Sequence, residues 1–445
     1  MFRSIAIVIF LLGLCACQDA AQNSAPAPVT ASANAEEQPA QTPQDSLVHR
    51  LEHPAEALPI WRAHAAQRPT LVLFSQDPFL LPIPEKLERE ALELIRSAPP
   101  VNIADRAAPG RPDPLFFPSM SVRLALQAGF FRELIWIIPS THEPDQLELT
   151  TLQQQLTGAG LLGKNEGQSL HAVSRGFAGT VDGSPFRIVH PEQMPELEGP
   201  VITHFDLSFF GGLYRNEVKT PIHELVREIL LQVRGKRWDT FTTTLTAGNR
   251  SGRVPLELRF LAERLAFWLN NPAQLDAPLP APWQEHAQAL YLATFLETER
   301  VADKLTNLCV EHPHEAPFHF DRYRALRAVK QGGQALEALE RAVSLDPVYA
   351  LEYLPLAATA RNAGRLDKAL QMQKLAEETL PNDPLIRMRR IGLLLELEQL
   401  SPLRDIAQQL SRLPWSKTYY PAKKDQLFSL SKITKNDLKS FAFQK

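Results

Sequence analysis

Three prolines recur at one fixed interval in the C-terminal third of the chain: Pro313, Pro347 and Pro381 lie 34 residues apart. Ala335 and Ala369 keep that interval, and so do Ala342 and Ala376. Within each unit the two alanines are seven residues apart and the proline follows five later. A period of this length means that one supersecondary unit is repeated, and that each copy buries its apolar face only against the next. Small residues two helical turns apart let paired helices approach closely. Proline then stops the second helix, because it lacks the N–H that would continue it. Gly364, in the run NAGRLDKAL, marks the turn inside a unit. The first unit carries Val301 and Leu308 in place of the alanines, and the last carries Leu403, Leu410 and Pro414, one residue out of phase. The pattern predicts four helical units between about residues 283 and 415.

This spacing resembles the tetratricopeptide repeat. The resemblance implies a solenoid with no chemistry of its own and a concave surface that takes a protein or peptide partner. Cys309, in the apolar helical run LTNLCVEH, is expected to be a buried, inert thiol. Beyond the repeats, residues 416–445 form a basic tail with Lys417, Lys423, Lys424, Lys432, Lys435, Lys439 and Lys445. Such a tail suits anionic lipid headgroups, or is simply a solvated face.

Residues 47–272 read differently. Short apolar runs, TLVLF (70–74), LIWII (134–138) and VITHF (201–205), alternate with helical patterns near 84–97 and 119–130. A helix follows Pro221, a strand-like run spans 239–246, and another helix follows Pro255, with Leu258, Leu261, Leu265 and Trp268 on one face. Thr220 and Thr246 fit strand-end or cap positions. Asp182-Gly183, between FAGTV and SPFRIVH, is a hairpin signal. Strands alternating with helices predict an α/β domain of three layers, a parallel sheet covered on both faces, followed by an all-α repeat domain.

In such sheets ligands sit beyond the carboxyl ends of the strands. Asp77 and Asp206 fall there. HFDLSFF (204–210), LVLFSQDPFL (71–80), LIWIIP (134–139) and TTTLTAGNRSGRVP (242–255) together resemble an uncharacterised branch of the arginase/deacetylase-like superfamily. That resemblance implies an arginase-like fold and a divalent metal pair that activates water. The chain departs from the family where it matters most. The family's Asp-x-His-x-Asp becomes Ser75, Asp77 and Phe79, and its Asp-x-Asp becomes Asp206 and Ser208. Two strong ligands remain, and each metal ion needs four to six donors. The expectation is therefore at most one divalent ion on Asp77 and Asp206, or a worn site reused for binding, with no other cofactor. His204 and His142 lie near the pattern without motif support, so surface or core roles are expected for both. GxSxG, CxxC, HExxH and Walker patterns are absent from the sequence, and the glycines of GAGLLG (158–163) follow no clear strand.

The amino end supplies an address. Met1, Phe2 and Arg3 precede an apolar run from Ile5 to Leu14, too short to span a bilayer. Leu14-Cys15-Ala16-Cys17 resembles the bacterial lipobox. It implies cleavage after residue 16 and palmitate-type acylation of Cys17, with Gln18 favouring the outer membrane facing the periplasm. Residues 17–46, rich in Ala, Gln, Pro, Ser and Thr, read as a disordered tether. Once Cys15 leaves with the signal and Cys17 carries lipid, Cys309 has no disulfide partner. A formal net charge of −3 gives no basic field for nucleic acid. These features together lead to a membrane-anchored interaction scaffold with an inactive α/β domain. The alternatives are a metal-dependent hydrolase of amide or amidine bonds, and a periplasmic peptide- or glycan-binding module with Trp136 and Trp238 as platforms.

Overall fold

The computed structural model describes residues 48–140, 148–216, 220–381 and 383–435, together with Asp437. Cys17, the 18–46 segment, His142, Lys439 and Lys445 lie outside those residues. The strands are β1 (Val48–Leu51), β2 (Thr70–Phe74), β3 (Glu133–Ile137), β4 (His171–Val173), β5 (Gly176–Val181), β6 (Ser184–Val189), β7 (Pro200–Asp206) and β8 (Asp239–Thr246). They form one sheet in the order β1-β8-β7-β2-β3-β6-β5-β4. From β1 to β6 in that order every neighbouring pair is parallel, whereas β5 runs antiparallel to β6 and β4 to β5. The sheet is therefore mixed, not purely parallel. Asp182 (φ +48°) and Gly183 (φ +76°) both adopt the left-handed conformation that closes a two-residue hairpin between β5 and β6.

Alternation along each strand sends its side chains into two separate cores. Leu71, Leu73, Leu134, Trp136 and Ile202 face one layer, with Trp61, Ala91, Ile95, Ile103 and Val122 from the helices before β3. Val72, Phe74, Ile135, Ile137, Val201 and Phe205 face the other, with Val226, Ile229, Leu261 and Leu265 from the helices after β7. Trp136 and Trp238 are both buried, and Trp238 borders a cavity of about 210 Å³. The helix Ile222–Gly235 has Pro221 as its N-cap and no side-chain capping bond, so Thr220 does not cap it. GAGLLG is the turn between the helices Leu149–Gly158 and Lys164–Ser169.

From Ala281 to Leu430 the chain is a succession of helices, each packed on the next. Helices start at Thr298, Gly332, Leu366 and Leu400, at a constant spacing of 34 residues. Ala335, Ala342, Ala369 and Ala376 are buried at the contacts, as are Val301, Leu308, Leu403 and Leu410. Cys309 is buried too, and burial pushes its thiol up to about 12. The turns repeat more faithfully than the sequence does. Leu296 (φ +61°), Lys330 (φ +63°), Gly364 (φ +70°) and Glu398 (φ +54°) are all left-handed and are also spaced by 34. Each is followed by the same closing bond, in which the N–H of Glu297, Gln331, Arg365 and Gln399 donates to the carbonyl five residues back. This is the Schellman helix ending, which glycine adopts without strain and a Cβ does not.

The chain beyond the array turns back. Trp415, Leu427 and Ile433 are buried, the Ser416 N–H donates to Pro112 O (2.9 Å), and the Tyr419 hydroxyl donates to Leu115 O (3.2 Å). Trp415, Leu427 and Ile433 pack on the last helices of the array, and Ser416 and Tyr419 reach the α/β half, so this stretch is not only a solvated face. The sheet and the helices belong to one compact unit.

Glu398 is exposed, so replacing it removes strain without removing packing. Glu398→Gly is expected to raise the free energy of unfolding by about 0.5–1 kcal/mol, and Gly364→Ala to lower it by a similar amount. Denaturant titration checks both. A destabilised Glu398→Gly would show that the backbone does not need glycine there.

Candidate functional site

The crossovers leaving β2 lead through β3 to β6 in one direction, while those leaving β7 lead to β8 in the other. β2 and β7 are neighbours in the sheet, so their carboxyl ends lie where the winding direction switches, the place where such sheets usually bind ligands. Asp206 is the last residue of β7 and is fully buried. Asp77 lies three residues beyond β2, close enough for each carboxylate to feel the other's charge. The Gln76 N–H donates to Ser208 Oγ at 3.1 Å and stitches the two strand ends together.

Every carboxylate oxygen here already has a protein partner. Asp206 Oδ1 accepts the Ser208 N–H (3.0 Å) and Oδ2 accepts the Thr246 hydroxyl (2.7 Å). Asp77 Oδ1 accepts the Phe79 N–H (2.7 Å), and Oδ2 accepts from Arg253 Nη1 (3.1 Å). The Arg253 guanidinium lies 4.2 Å above the Phe79 ring. Phe79 is left-handed (φ +57°) and fully buried, an uncommon conformation for a bulky residue. The short turn made by Asp77 holds it there, and Ser75 braces that turn by donating its hydroxyl to Asp77 O (2.6 Å). Burial raises the Asp77 carboxyl, Asp206 adds to the rise, and Arg253 and the Phe79 N–H oppose it.

Behind Asp206 runs a directed chain of hydrogen bonds. β7 and β8 pair His204 with Thr244 and Asp206 with Thr246, on the face that carries Trp61. Trp61 Nε1–H donates to Thr244 Oγ1 (3.2 Å), whose hydroxyl has two acceptors in reach, His204 Nδ1 (2.8 Å) and Thr203 O (3.5 Å). Asp206 only accepts, so Thr246 spends its hydroxyl proton there (2.7 Å), and Thr246 Oγ1 must accept from His204 Nε2 (3.3 Å), which assigns the proton of the neutral ring to Nε2. His204 is wholly buried and lies edge-on to Trp61 and Phe79. Burial lowers its pKa to about 4, helped by Arg253 and opposed by Asp206.

No family model matches the chain, and no curated protein matches it. Its site therefore stands on this geometry. Asp77, Asp206, Ser75, Phe79 and Ser208 do converge, on adjacent strand ends. As a set they do not fit a divalent metal pair, because two carboxylates are the only anionic donors and one already holds a guanidinium. Phe79 stands where a ligand would be needed, with its ring turned to His204 and Arg253. Sequence reasoning passed over Arg253, Thr246 as a partner of Asp206, and the Trp61–Thr244 pair. The one local signal was the glycine pair ahead of Arg253: Gly248 (φ +67°) turns the chain out of β8, where a Cβ would meet Val254 Cγ2 at 2.8 Å, and Gly252 (φ +71°) adds a second left-handed turn just before Arg253.

His204 and His53, which burial likewise lowers to about 4, make stability depend on pH. An unfolded histidine takes its proton near pH 6.5, but these two take it only near pH 4. The unfolded chain therefore binds more protons between those values, and folded stability falls as pH falls through that window. Each pH unit there removes about 1.4 kcal/mol per histidine. His204→Gln can keep both hydrogen bonds without titrating, so its plot of unfolding free energy against pH should be flatter between pH 6.5 and 4. An unchanged slope would show that His204 titrates normally.

Proposed function

We propose that the protein is a lipid-anchored envelope scaffold, whose helical array holds a protein or peptide partner and whose α/β half binds instead of hydrolysing. The observation that carries this reading is the Asp77–Arg253 contact. A cation fixed by the chain itself, bonded to one carboxylate and stacked on Phe79, holds the position that a hydrolytic metal would need. Asp206 is fully buried with one oxygen on the Ser208 N–H and the other on the Thr246 hydroxyl, an arrangement that favours a structural role over activation of a water. The layout of sheet and helices, with aspartates at adjacent strand ends, is compatible with an arginase/deacetylase-like ancestry that has lost its metals.

The array supports the scaffold half of the reading. Stacked helical units with a constant turn make an extended surface, and extended concave surfaces suit chains as partners. Acylation of Cys17 ahead of Gln18 would station that surface at the periplasmic face of the outer membrane, and more than one acyl chain gives stable anchoring. The hydrolase alternative has no observation in its favour at this site.

Two measurements test the reading. An alkyne-palmitate label should enter the full chain in a Gram-negative host and be lost in Cys17→Ser. A photo-cross-linking residue placed at Leu296 or Val310, exposed by 82% and 76%, should capture a single envelope protein. That capture should survive Asp77→Asn. Label that persists in Cys17→Ser contradicts the anchor. A hydrolytic activity abolished by Asp77→Asn contradicts the binding role.

A further inference from the structure

A cavity of about 550 Å³ lies between the loop that follows β8 and the helical array. Its size is that of a small-molecule site, for which a few hundred to about 1,000 Å³ is usual. Arg250 and Arg253 enter it from the loop, and Arg389 enters from the helix Pro384–Glu396. Leu351, Leu354 and Ile386 form its apolar wall. A neighbouring volume of about 390 Å³, which also carries Asp105 and Arg111, shares Pro109, Arg250, Leu351 and Asp383 with it, so the space continues past Arg250.

The charges of this cavity do not balance. Arg253 is held by Asp77. Among the described residues, no carboxylate pairs with Arg250 or Arg389. Glu56 lies within Coulombic range of Arg250 without pairing to it. The contrast within one helix is direct: Arg387 and Arg390 both bind Glu377, at 3.4 and 3.0 Å, while Arg389 turns to the cavity alone. Asp383 is the one acidic residue in the lining; its Oδ1 accepts the N–H groups of Leu385 and Ile386 (2.9 and 3.2 Å), and its charge offsets one guanidinium at most, so the cavity keeps a net positive charge. Two guanidinium forks beside an apolar wall match an anionic head on an apolar body, because arginine binds carboxylate and phosphate oxygens through paired N–H donors.

We infer that this cavity is a binding site for an amphipathic organic anion, with its carboxylate or phosphate head on Arg250 and Arg389 and its apolar body against Leu351, Leu354 and Ile386. The site depends neither on the lipid anchor nor on a protein partner. It would let a small ligand act at the seam between sheet and array.

Calorimetric titration of the full chain tests this with octanoate, octyl phosphate, inorganic phosphate and the uncharged octyl glucoside, each below its aggregation limit. One octyl anion per chain should bind, more weakly as salt is raised. Inorganic phosphate and octyl glucoside should bind far less, since each satisfies only half of the site. Tighter binding of the phosphate head would name a phosphorylated ligand, and tighter binding of the carboxylate head a fatty-acid-like one; either supports the inference. Arg250→Ala/Arg389→Ala replaces two exposed side chains, so the fold should persist by circular dichroism, while octyl-anion affinity falls by about tenfold or more, ~1.4 kcal/mol per tenfold. Absence of saturable binding, equal binding by octyl glucoside, or affinity unchanged in the double variant overturns it.

Discussion

Arg259 is the tie on which the arrangement of this molecule depends. Its guanidinium bonds Glu52, just past β1, through Nη2 (2.8 Å) and Nη1 (3.2 Å), Asn249 in the loop after β8 (3.1 Å), and Asp346 in the helical array through Nε (2.5 Å). Burial works against its charge, but the bonds to Glu52 and Asp346 outweigh that and raise its pKa. One side chain thus joins the sheet edge, the site loop and the array. Removing Arg259 would leave two part-buried carboxylates without their cation and cut the tie between sheet edge and array. The loop is fixed from other sides as well. The Ala247 and Gly248 N–H groups donate to Leu51 O and Glu52 O (3.0 and 2.9 Å), and Asn249 Nδ2 donates to Val254 O and Pro255 O (3.0 and 3.1 Å). A loop held this firmly delivers Arg253 to Asp77 and presents Arg250 to the adjoining cavity.

The buried polar residues behind the site follow from the same geometry. A carboxylate at the end of a central strand loses its water, and hydrogen bonds must replace it. Asp206 receives them from Ser208 and Thr246, and Thr246 Oγ1 accepts in turn from the Nε2–H of a neutral His204 that sits against Thr244 and Trp61. From His204 the ladder has a direction, with each donor pointing towards the carboxylate. Asp77 is managed differently, by an ion pair at the rim, where its side chain is 33% exposed and Arg253 can reach it. The two carboxylates lie at adjacent strand ends yet have separate partners, which is why they read as a pair in sequence without serving as one.

Much of this was legible in the chain. TLVLF, LIWII and VITHF are apolar on both faces because both faces are covered, and they became β2, β3 and β7. Asp182-Gly183 turned the hairpin, and the spacing of Ala335, Ala342, Ala369 and Ala376 recurred in the helices. β1 escaped because four residues at a sheet edge carry too short an alternation to register, and β4 because all three of its residues are exposed. The turns at Leu296, Lys330 and Glu398 escaped because only Gly364 carries the residue that their shared backbone favours. The site was half legible. Asp77 and Asp206 could be placed from strand ends, but Arg253 follows Asp77 by 176 residues and reaches it only through the loop that Arg259 anchors. No local pattern encodes that contact.

The most direct test of this account is anomalous diffraction from crystals grown in excess Mn²⁺. The account predicts that the Arg253 guanidinium stays within hydrogen-bond distance of Asp77 and above Phe79, with no anomalous peak between Asp77 and Asp206. A manganese peak bridging the two carboxylates, with Arg253 displaced, would contradict it and return these strand ends to metal chemistry.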